Sequence, residues 1–470
     1  MNLDALRSQC RGEILTPASP EYDVVRRLWN GMIDRRPAVI VRCSSSDDVA
    51  AVVRFAAREE LYPAIRAGGH NVAGLASVDD GLVIDVSPMK RITVDPIART
   101  ATSEAGLTWG EFDLATQAHG LATTGGINST TGIAGLTLGG GVGWLMGRCG
   151  LSCDTTLSYS LITADGEPLT ASADEHSDLF WALKGGGGNF GVVTSMTYRL
   201  QPVGTVISGM ILHPFTRARE VLHYYRDFVM GGLPDDLIVY ASAITSPDGA
   251  PLIAIIPAYS GPNLAEGERV LAPLRAFGPP VADLVTRMPY VAMQRMFDAA
   301  TPHGVRSYWK STFLRSLPDD AIDTFVQCAA ARTSPRTMVK LEHAHGAVAR
   351  VAPGDTAFPA RGYAFDLVVL GLWDDVKDDA RNVTWTRDFY TAMRPWSASL
   401  AYVNALGEDD GARVREAYGD NYDRLVEVKT KYDPANRFRR NQNIAPRQGG
   451  DAQDMSRSTI TLAGDQGVPP

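Results

Sequence analysis

Titratable side chains near residue 340 have the types and spacing for proton transfer at a buried site. The stretch from Met338 to His345 has the pattern of a β-strand, whose successive side chains point to opposite faces. Lys340 and Glu342 therefore share one face, and His343 and His345 share the other. Only one pair can face a cavity. A solvated ion pair on an exposed strand face remains the alternative for Lys340 and Glu342.

Tyr402 and Asn404 form a second candidate pair, two positions apart on a predicted strand. A phenol has a pKa of about 10 and acts as a base near neutrality only if that pKa is lowered. A nearby lysine would lower it by stabilising the phenolate. Three roles therefore stay open for Tyr402: base, orienting hydrogen-bond donor, or packing residue.

Three glycine-rich segments could hold a flat or phosphorylated ligand through the backbone. They are Arg66–Gly74, Gly125–Gly150 and Gly185–Gly191. Glycine permits positive φ and leaves N–H groups free to face an anion. Tight turns explain any single glycine better, but so dense a cluster with few charges favours a cofactor site.

The last of these segments contains a misleading motif. Gly186, Gly188 and Gly191 satisfy G-x-G-x-x-G, but a dinucleotide fingerprint needs a strand first and a helix second. Here a predicted helix, Asp178–Lys184, precedes the glycines and a strand that runs to Leu200 follows them. The order argues against a nicotinamide dinucleotide at this segment.

Composition bounds the class of protein. The chain has 470 residues, 45% hydrophobic and 21% charged, which suits two or three globular domains. Its net charge of −8 is spread without basic runs, so neither nucleic acid nor a membrane surface is an expected partner. Five cysteines show no zinc spacing, and no stretch approaches about 20 apolar residues. We therefore expect a cytoplasmic protein with reduced thiols, no metal and a small-molecule partner.

The predicted helices and strands that must position these residues are arranged differently before and after Pro202. The first half begins with a predicted strand–helix–strand unit, continues with another strand and contains a hairpin around the type I′-like turn Ala164-Asp165-Gly166. The predicted elements are Pro37–Cys43, Ser46–Glu60, Tyr62–Arg66, Gly81–Val86 and the hairpin Leu157–Ser172. After Pro202 apolar strands alternate with amphipathic helices, as in a mostly antiparallel α+β domain. The predicted strands are Thr205–Leu212, Leu237–Thr245, Leu252–Ala258, Met338–Val351 and Tyr363–Trp373.

We therefore divide the chain into four parts. Residues 1–203 begin the first domain, 204–400 form a second domain, 401–446 return to the first domain with two helices, and 447–470 form a tail predicted to be disordered.

Four motifs in register resemble one enzyme family across nearly the whole chain. They are RAGGH at Arg66–His70, GIAGLTLGGG at Gly132–Gly141, DLFWALKGGGGNFG at Asp178–Gly191, and the pair KYDP at Lys431–Pro434 and NQNI at Asn441–Ile444. Together they resemble the FAD-linked oxidases of the berberine-bridge-enzyme type, within the vanillyl-alcohol-oxidase superfamily. The chain is most similar to the bacterial branch that includes 6-hydroxynicotine oxidase and antibiotic-pathway oxidases.

The resemblance implies an α+β fold: a two-lobed PCMH-type FAD-binding domain plus a substrate domain whose mostly antiparallel sheet is covered by helices. It implies that backbone amides hold the FAD pyrophosphate and that His70 carries the flavin covalently through its 8α-methyl group. The implied cofactor contacts are Arg66, Ala67, Gly68, Gly69, His70, Asn71, Gly74, Gly126, Asn128, Thr131, Gly132, Gly135, Gly139, Gly140, Gly141, Gly188, Gly191, Val193, Asn441 and Asn443.

Many relatives add a second flavin bond, from a cysteine where this chain has Asn128. Asparagine has no thiolate, and Cys149 lies too far along the loop to replace it. We therefore predict a single covalent link, through His70.

The family's chemistry is hydride transfer to flavin N5, proton removal by a base and reoxidation by O₂ to give H₂O₂. The resemblance makes Tyr402, Glu342 and Lys340 the candidate catalytic residues. Val142 stands where sugar-oxidising members have an aromatic residue, which favours a secondary metabolite or heterocyclic amine. The alternatives are an oxidative cyclase or tailoring enzyme of natural-product biosynthesis, and a flavin-bound protein that sequesters a drug. A monomer and a homodimer both remain open.

Overall fold

The structure is a computed structural model that describes residues 1 and 3–447. All but the first residue of the tail predicted to be disordered therefore lies outside the described residues. Within the described part of the chain, no helix is long and apolar enough to cross a membrane.

The first domain is built on two larger sheets, with helices packed against them, and a small antiparallel sheet of β7 and β11. Its strands are β1 (Glu13–Leu15), β2 (Val39–Arg42), β3 (Ala64–Arg66), β4 (Leu82–Asp85), β5 (Ile92–Asp95), β6 (Thr100–Glu104), β7 (Leu121–Ala122), β8 (Thr156–Ile162), β9 (Pro168–Ser172), β10 (Val192–Arg199) and β11 (Gln201–Pro202). Its helices are α1 (Leu3–Arg7), α2 (Tyr22–Val25), α3 (Ser46–Arg58), α4 (Trp109–Gln117), α5 (Ile133–Leu138), α6 (Met146–Cys149), α7 (Ser152–Thr155) and α8 (Ser177–Leu183).

The first sheet contains the predicted strand–helix–strand unit. Its order is β1-β2-β4-β3, so β4 lies between β2 and β3 and runs parallel to both. Helix α3 connects β2 to β3 and begins after Ser45, whose hydroxyl accepts the backbone N–H of Asp48. This side chain satisfies an N–H group that the first helical turn leaves free. The unit ends at Arg66, where the first glycine-rich loop begins.

The second sheet, in the order β5-β6-β10-β8-β9, is antiparallel and contains the predicted hairpin of β8 and β9. The predicted type I′ turn is wrong. A type I′ turn needs positive φ at both central residues, and here only Gly166 has it, at 82°. The Gly166 N–H bonds the Thr163 carbonyl, as in a three-residue loop whose last residue is left-handed.

The second domain is one antiparallel sheet covered by helices. Its strands are β12 (Thr205–Ser208), β13 (Ile211–Pro214), β14 (Leu237–Thr245), β15 (Pro251–Tyr259), β16 (Ala282–Asp283), β17 (Thr286–Pro289), β18 (Arg306–Leu314), β19 (Met338–His343) and β20 (Phe365–Trp373). Its helices are α9 (Ala218–Met230), α10 (Leu264–Ala276), α11 (Tyr290–Gln294), α12 (Asp319–Ala330), α13 (Ala347–Arg350) and α14 (Asp379–Met393).

Two predicted strands of this domain are too long. The strand predicted from Thr205 to Leu212 is broken at Gly209, whose φ of 149° interrupts the pleat. The strand predicted from Met338 to Val351 ends at His343 and is followed by α13. Gly346, with a φ of 70°, marks that change of direction.

Side-chain alternation gives the sheet two different faces. Val339 and Leu341 of β19, with Leu367 and Val369 of β20, belong to the apolar cluster that contains the buried faces of α9, α10, α12 and α14. The intervening residues point the opposite way. The pairs that oppose each other on that second face are Met338–Leu370, Lys340–Val368 and Glu342–Asp366.

The C-terminal segment packs back on the first domain through α15 (Val414–Tyr418) and α16 (Tyr422–Tyr432). Lys429 Nζ donates to the carbonyl of Asn189 at 2.7 Å and to the carboxylate of Asp433 at 2.7 Å, both fully buried. The backbone N–H of Ile444 also bonds the Asn189 side chain. This network fixes the segment against the Gly185–Gly191 loop.

A short N-terminal segment joins the two domains. The Asn30 amide donates to the carbonyls of Val72 and Ser307, at 2.9 and 2.8 Å, and its oxygen accepts the Ser307 N–H. The Trp29 indole N–H bonds the Thr301 carbonyl at 3.1 Å. Gly31 also donates a backbone hydrogen bond to Val305. Residues 29–31 therefore hold the first glycine-rich loop against residues 301–307.

Candidate active site

An elongated cavity lies between the two domains. Backbone-rich segments at residues 67–71, 126–136 and 187–193 line one side, which we call the glycine wall. Alternating residues of β19 and β20 line the other, which we call the sheet wall. Predicted residues on the glycine wall are Ala67, Gly68, Gly69, His70, Asn71, Gly126, Asn128, Thr131, Gly132, Gly135, Gly188, Gly191 and Val193; Asn441, Lys340, Glu342 and Tyr402 also line the cavity.

The glycine wall is closed by direct contact between two loops. A Cβ on Gly68 would lie 2.4 Å from the backbone nitrogen of Gly132, and a Cβ on Gly132 would lie 2.5 Å from that of Gly68. No side chain fits in either place. The loops that follow β3 and precede α5 are therefore in backbone contact.

Elsewhere the same wall leaves room for a ligand. A Cβ on Gly135 or on Gly188 would meet no atom within 4 Å, although both residues line the cavity. The wall therefore presents open backbone rather than packed side chains.

His70 lies on the glycine wall in a neutral, oriented form. Its ring stacks on Trp29 with centroids 5.1 Å apart and an interplanar angle of 20°. Thr131 Oγ1 lies 3.4 Å from His70 Nδ1. Burial, helped by the nearby His303, lowers the pKa of His70 to about 4. The imidazole is therefore neutral at pH 7, which is the form that can act as a nucleophile.

Asn128 contacts the second domain directly at the cavity lining. Its amide nitrogen donates to the Thr301 hydroxyl at 2.9 Å, and both residues line the cavity. None of the described residues that line the cavity is a cysteine. Cys149 lies outside the lining, and burial raises its pKa to about 11.

The sheet wall carries Lys340, Glu342 and Asp366, and Arg440 of the C-terminal segment is the other charged-type residue among the described residues that line the cavity. Lys340 and Glu342 form a buried ion pair through Nζ and Oε1. Asp366 lies opposite Glu342 on β20, and neither of its carboxyl oxygens has a hydrogen-bond partner among the described residues. Around these groups the cavity is apolar: Phe297, Trp309, Met338, Val368 and Leu370 complete this end. His343 and His345 stack on each other instead and do not line the cavity.

Tyr402 lies at the junction of the two walls. It precedes the 3₁₀ turn Val403–Ala405, so the predicted strand at this point is wrong. Its hydroxyl oxygen accepts the N–H groups of Gly141 and Val142, at 3.2 and 3.4 Å, and the Asn404 amide at 3.0 Å. Burial nevertheless raises the pKa of Tyr402 well above 10. The phenol therefore keeps its proton, with its oxygen already occupied as an acceptor.

Six of the predicted cofactor contacts do not line the cavity: Arg66, Gly74, Gly139, Gly140, Gly141 and Asn443. Arg66 instead bonds Asp85 and the Val25 carbonyl beneath the loop. A Cβ on Gly139 would lie 2.1 Å from the side chain of Asn404. These residues therefore shape the wall from behind it.

Sequence analysis missed two residues that matter here. Asp366 is the only charged residue of the otherwise apolar strand β20, which was a usable signal. Trp29 stacks on His70 from a segment distant in sequence, and no local pattern marked it.

The residues fit FAD. Open backbone and neutral polar groups on the glycine wall suit a diphosphate, because N–H dipoles bind it without a formal charge. Backbone amides of residues 67–71 and 126–135, with Gly188 and Asn441, would hold the nucleotide. The neutral His70 lies on the same wall, and the charged sheet wall faces it.

Comparison with known proteins also indicates a protein that binds FAD. The model of an FAD binding domain matches residues 37–172, and the model of berberine and berberine-like proteins matches residues 401–445. An FAD-linked oxidoreductase of Dictyostelium discoideum is 30% identical over 442 residues, covering 93% of this chain and 95% of the relative. (R)-6-hydroxynicotine oxidase of Paenarthrobacter nicotinovorans is 29% identical, with 93% and 97% covered.

A solved structure shares the whole architecture. The crystal structure of 6-hydroxy-D-nicotine oxidase from Arthrobacter nicotinovorans superimposes with a TM-score of 0.86 at 27% identity, covering 93% of this chain and 98% of that one. Fold and cavity together define an FAD-dependent oxidoreductase with a PCMH-type FAD-binding domain. The chain belongs to the berberine-bridge-enzyme-like family of FAD-linked oxidoreductases.

Proposed function

We propose that this chain is an oxidase that carries FAD on His70 and oxidises a small hydroxylated or amine-bearing substrate at the expense of O₂. The observation that carries the proposal is one cavity lined by both a neutral imidazole, on the glycine wall, and a buried Lys340–Glu342 ion pair, on the sheet wall. Bound FAD would supply the hydride acceptor and pass the electrons to O₂, giving H₂O₂.

Attachment at His70 rests on its protonation state and its orientation. A neutral imidazole has a free lone pair, whereas a protonated one has none. The stack on Trp29 fixes the plane of the ring. Asn128, where many relatives carry a cysteine, offers no second nucleophile, so the proposed link is single.

Proton removal falls to Glu342 rather than to Tyr402. The Tyr402 oxygen accepts three N–H groups and its pKa is raised by burial, so the residue acts as a donor that orients the substrate. The carboxylate of Glu342 is a competent acceptor for a substrate O–H or N–H proton, and Lys340 holds it in place. Lys340 is a positioning residue in this scheme.

Covalent attachment is tested by acid precipitation of the purified protein. We expect the flavin of the natural chain to stay with the pellet and that of His70→Ala to be released. His119→Ala, at an exposed histidine outside the cavity, is the matched control and should retain its flavin. Release of flavin from the natural chain would contradict the histidyl link.

Turnover is tested by anaerobic mixing with a panel of amines, alcohols and phenolic polyketides. A substrate bleaches the flavin absorbance, and admission of air restores the colour with one H₂O₂ formed for each substrate oxidised. Saturable binding without bleaching for every member of the panel would indicate a sequestering protein instead. Reoxidation without H₂O₂ would argue against an oxidase.

A further inference from the structure

Asp366 is the carboxyl group of the sheet wall that has no ion-pair or hydrogen-bond partner among the described residues. It is 4% exposed, lines the cavity and pairs across the sheet with Glu342 on one side and Phe313 on the other. Both of its carboxyl oxygens are buried without a hydrogen-bond partner among the described residues. Leaving a buried polar group unpaired destabilises the fold, so such a group calls for an explanation.

The surroundings contain one cation for two carboxyl groups. Lys340 is the positive group of this cluster, and it is already paired with Glu342. Burial, with a smaller contribution from Asp366, raises the pKa of Tyr240 on β14 and of Tyr402, so both phenols stay neutral. On β18 the opposing residue is Phe313, which has no charge.

Asp366 therefore holds a proton when the cavity has no substrate. Burial raises its pKa well above the usual range, and the charge of Glu342 adds to that effect against the opposing effect of Lys340. A second positive charge near Asp366 would reverse this balance, because an opposite charge favours the ionised carboxylate.

We propose that Asp366 determines specificity by binding a cationic nitrogen of the substrate, giving up its own proton to solvent as the ion pair forms. This inference rests on the proposed use of the cavity as the substrate site. The new contact joins the Asp366 carboxylate to the substrate cation, and the released proton leaves the protein, so charge is balanced. Trp309 and Phe297, which also line the cavity, favour an aromatic or heteroaromatic frame for the rest of the ligand.

Two matched probes test the inference without turnover. Benzyltrimethylammonium is a permanent cation with no N–H group and no lone pair to oxidise, and neopentylbenzene is its neutral isostere. Titration calorimetry of the flavin-loaded protein at pH 7, in two buffers of different ionisation enthalpy, gives both the affinity and the number of protons released. These readouts do not depend on catalysis, so they can fail while flavin attachment and turnover succeed.

We expect the cation to bind about tenfold or more tightly than its isostere and to release about one proton. In Asp366→Asn the cation should lose about tenfold in affinity and release no proton, while neopentylbenzene binds as before. Asp374→Asn makes the same substitution at an exposed residue just after the same strand and outside the cavity lining, and it should change neither the affinity nor the proton release.

Two outcomes would overturn the inference. One is binding of the cation to the natural chain without preference or without proton release, which needs no variant. The other is an Asp366→Asn protein that retains its flavin, the cation affinity and the proton release.

Discussion

The two walls of the cavity offer a ligand different chemistry. The glycine wall is mostly backbone, carries neutral groups and is closed by the contact of Gly68 with Gly132. The sheet wall is made of side chains and carries Lys340, Glu342 and Asp366 within an apolar frame. One wall suits a large ligand common to the whole family, and the other suits a group that differs from substrate to substrate. In the proposed function, the first domain binds the cofactor and the second domain selects the substrate.

The largest expected effect is on the glycine wall. In Gly68→Ala the new methyl group would overlap the Gly132 backbone, which cannot move aside as a flexible side chain could. We expect flavin content, measured as absorbance at 450 nm relative to 280 nm, to fall about tenfold or more. The control is Gly204→Ala, where a Cβ meets nothing within 4 Å. Equal flavin content in both variants would mean that the loop contact does not close the wall.

The next effect is on the sheet wall. Lys340→Met leaves the buried carboxylate of Glu342 without its partner, and we expect the free energy of unfolding to fall by about 3–5 kcal/mol. The double variant Lys340→Met/Glu342→Met should recover much of that loss, since both charges are gone. Urea unfolding at pH 7 measures both. A single variant as stable as the natural chain would show that the pair is solvated.

A smaller effect is expected where the walls meet. Tyr402→Phe removes the acceptor of the Gly141 and Val142 N–H groups. We expect this loss to lower the free energy of unfolding by about 1–3 kcal/mol. Because Tyr402 is a donor in our scheme, kcat should fall while the pH profile of kcat/KM keeps its shape. The loss of one limb of that profile would make Tyr402 the base. Tyr62→Phe, at an exposed tyrosine outside the cavity, is the control.

The smallest effect on the cavity itself is expected at a buried carboxyl behind the glycine wall, where only the stability of the chain should change. Asp113 accepts the Gln294 amide, which also bonds the Gly126 carbonyl, and burial raises the pKa of Asp113 to about 7. Between about pH 4 and pH 7 the folded chain thus keeps a proton that the unfolded chain loses, so stability falls as pH rises.

Asp113→Asn removes that titration. We expect the variant to match the natural chain near pH 4 and to exceed its free energy of unfolding by about 4 kcal/mol at pH 8, since each pKa unit of the shift corresponds to about 1.4 kcal/mol. Thermal unfolding across this pH range is the measurement. Parallel curves for the two proteins would show that Asp113 does not titrate in this window.

The difference between the walls also explains which residues of the site could be predicted from the sequence. Glycine density marks the first wall without any knowledge of strand pairing, so most residues predicted there do line the cavity. The role of His70 came from a family resemblance, because a histidine in a loop has no distinctive pattern. The 3₁₀ turn at Val403 was mistaken for a strand, yet Tyr402 and Asn404 still meet through a hydrogen bond.

The sheet wall was harder to predict because β20 is buried on both faces. Its predicted limits, Tyr363–Trp373, are close to the observed Phe365–Trp373. No alternation of polar and apolar residues distinguishes its helix face from its cavity face, however, so Asp366 passed unnoticed. Its pairing with Glu342 depends on the register of two strands more than twenty residues apart in sequence.

The joint made by residues 29–31 limits how this protein can be recombined. Asn30 and Trp29 bond backbone groups between Thr301 and Ser307, while Trp29 also carries the His70 ring. A chimaera that exchanges only residues 204–400 for those of a relative would replace the backbone of residues 301–307. Residues 29–31 of the original chain would then lose the partners of their hydrogen bonds. Directed evolution by domain shuffling should therefore move both segments as one block, even though they are far apart in sequence.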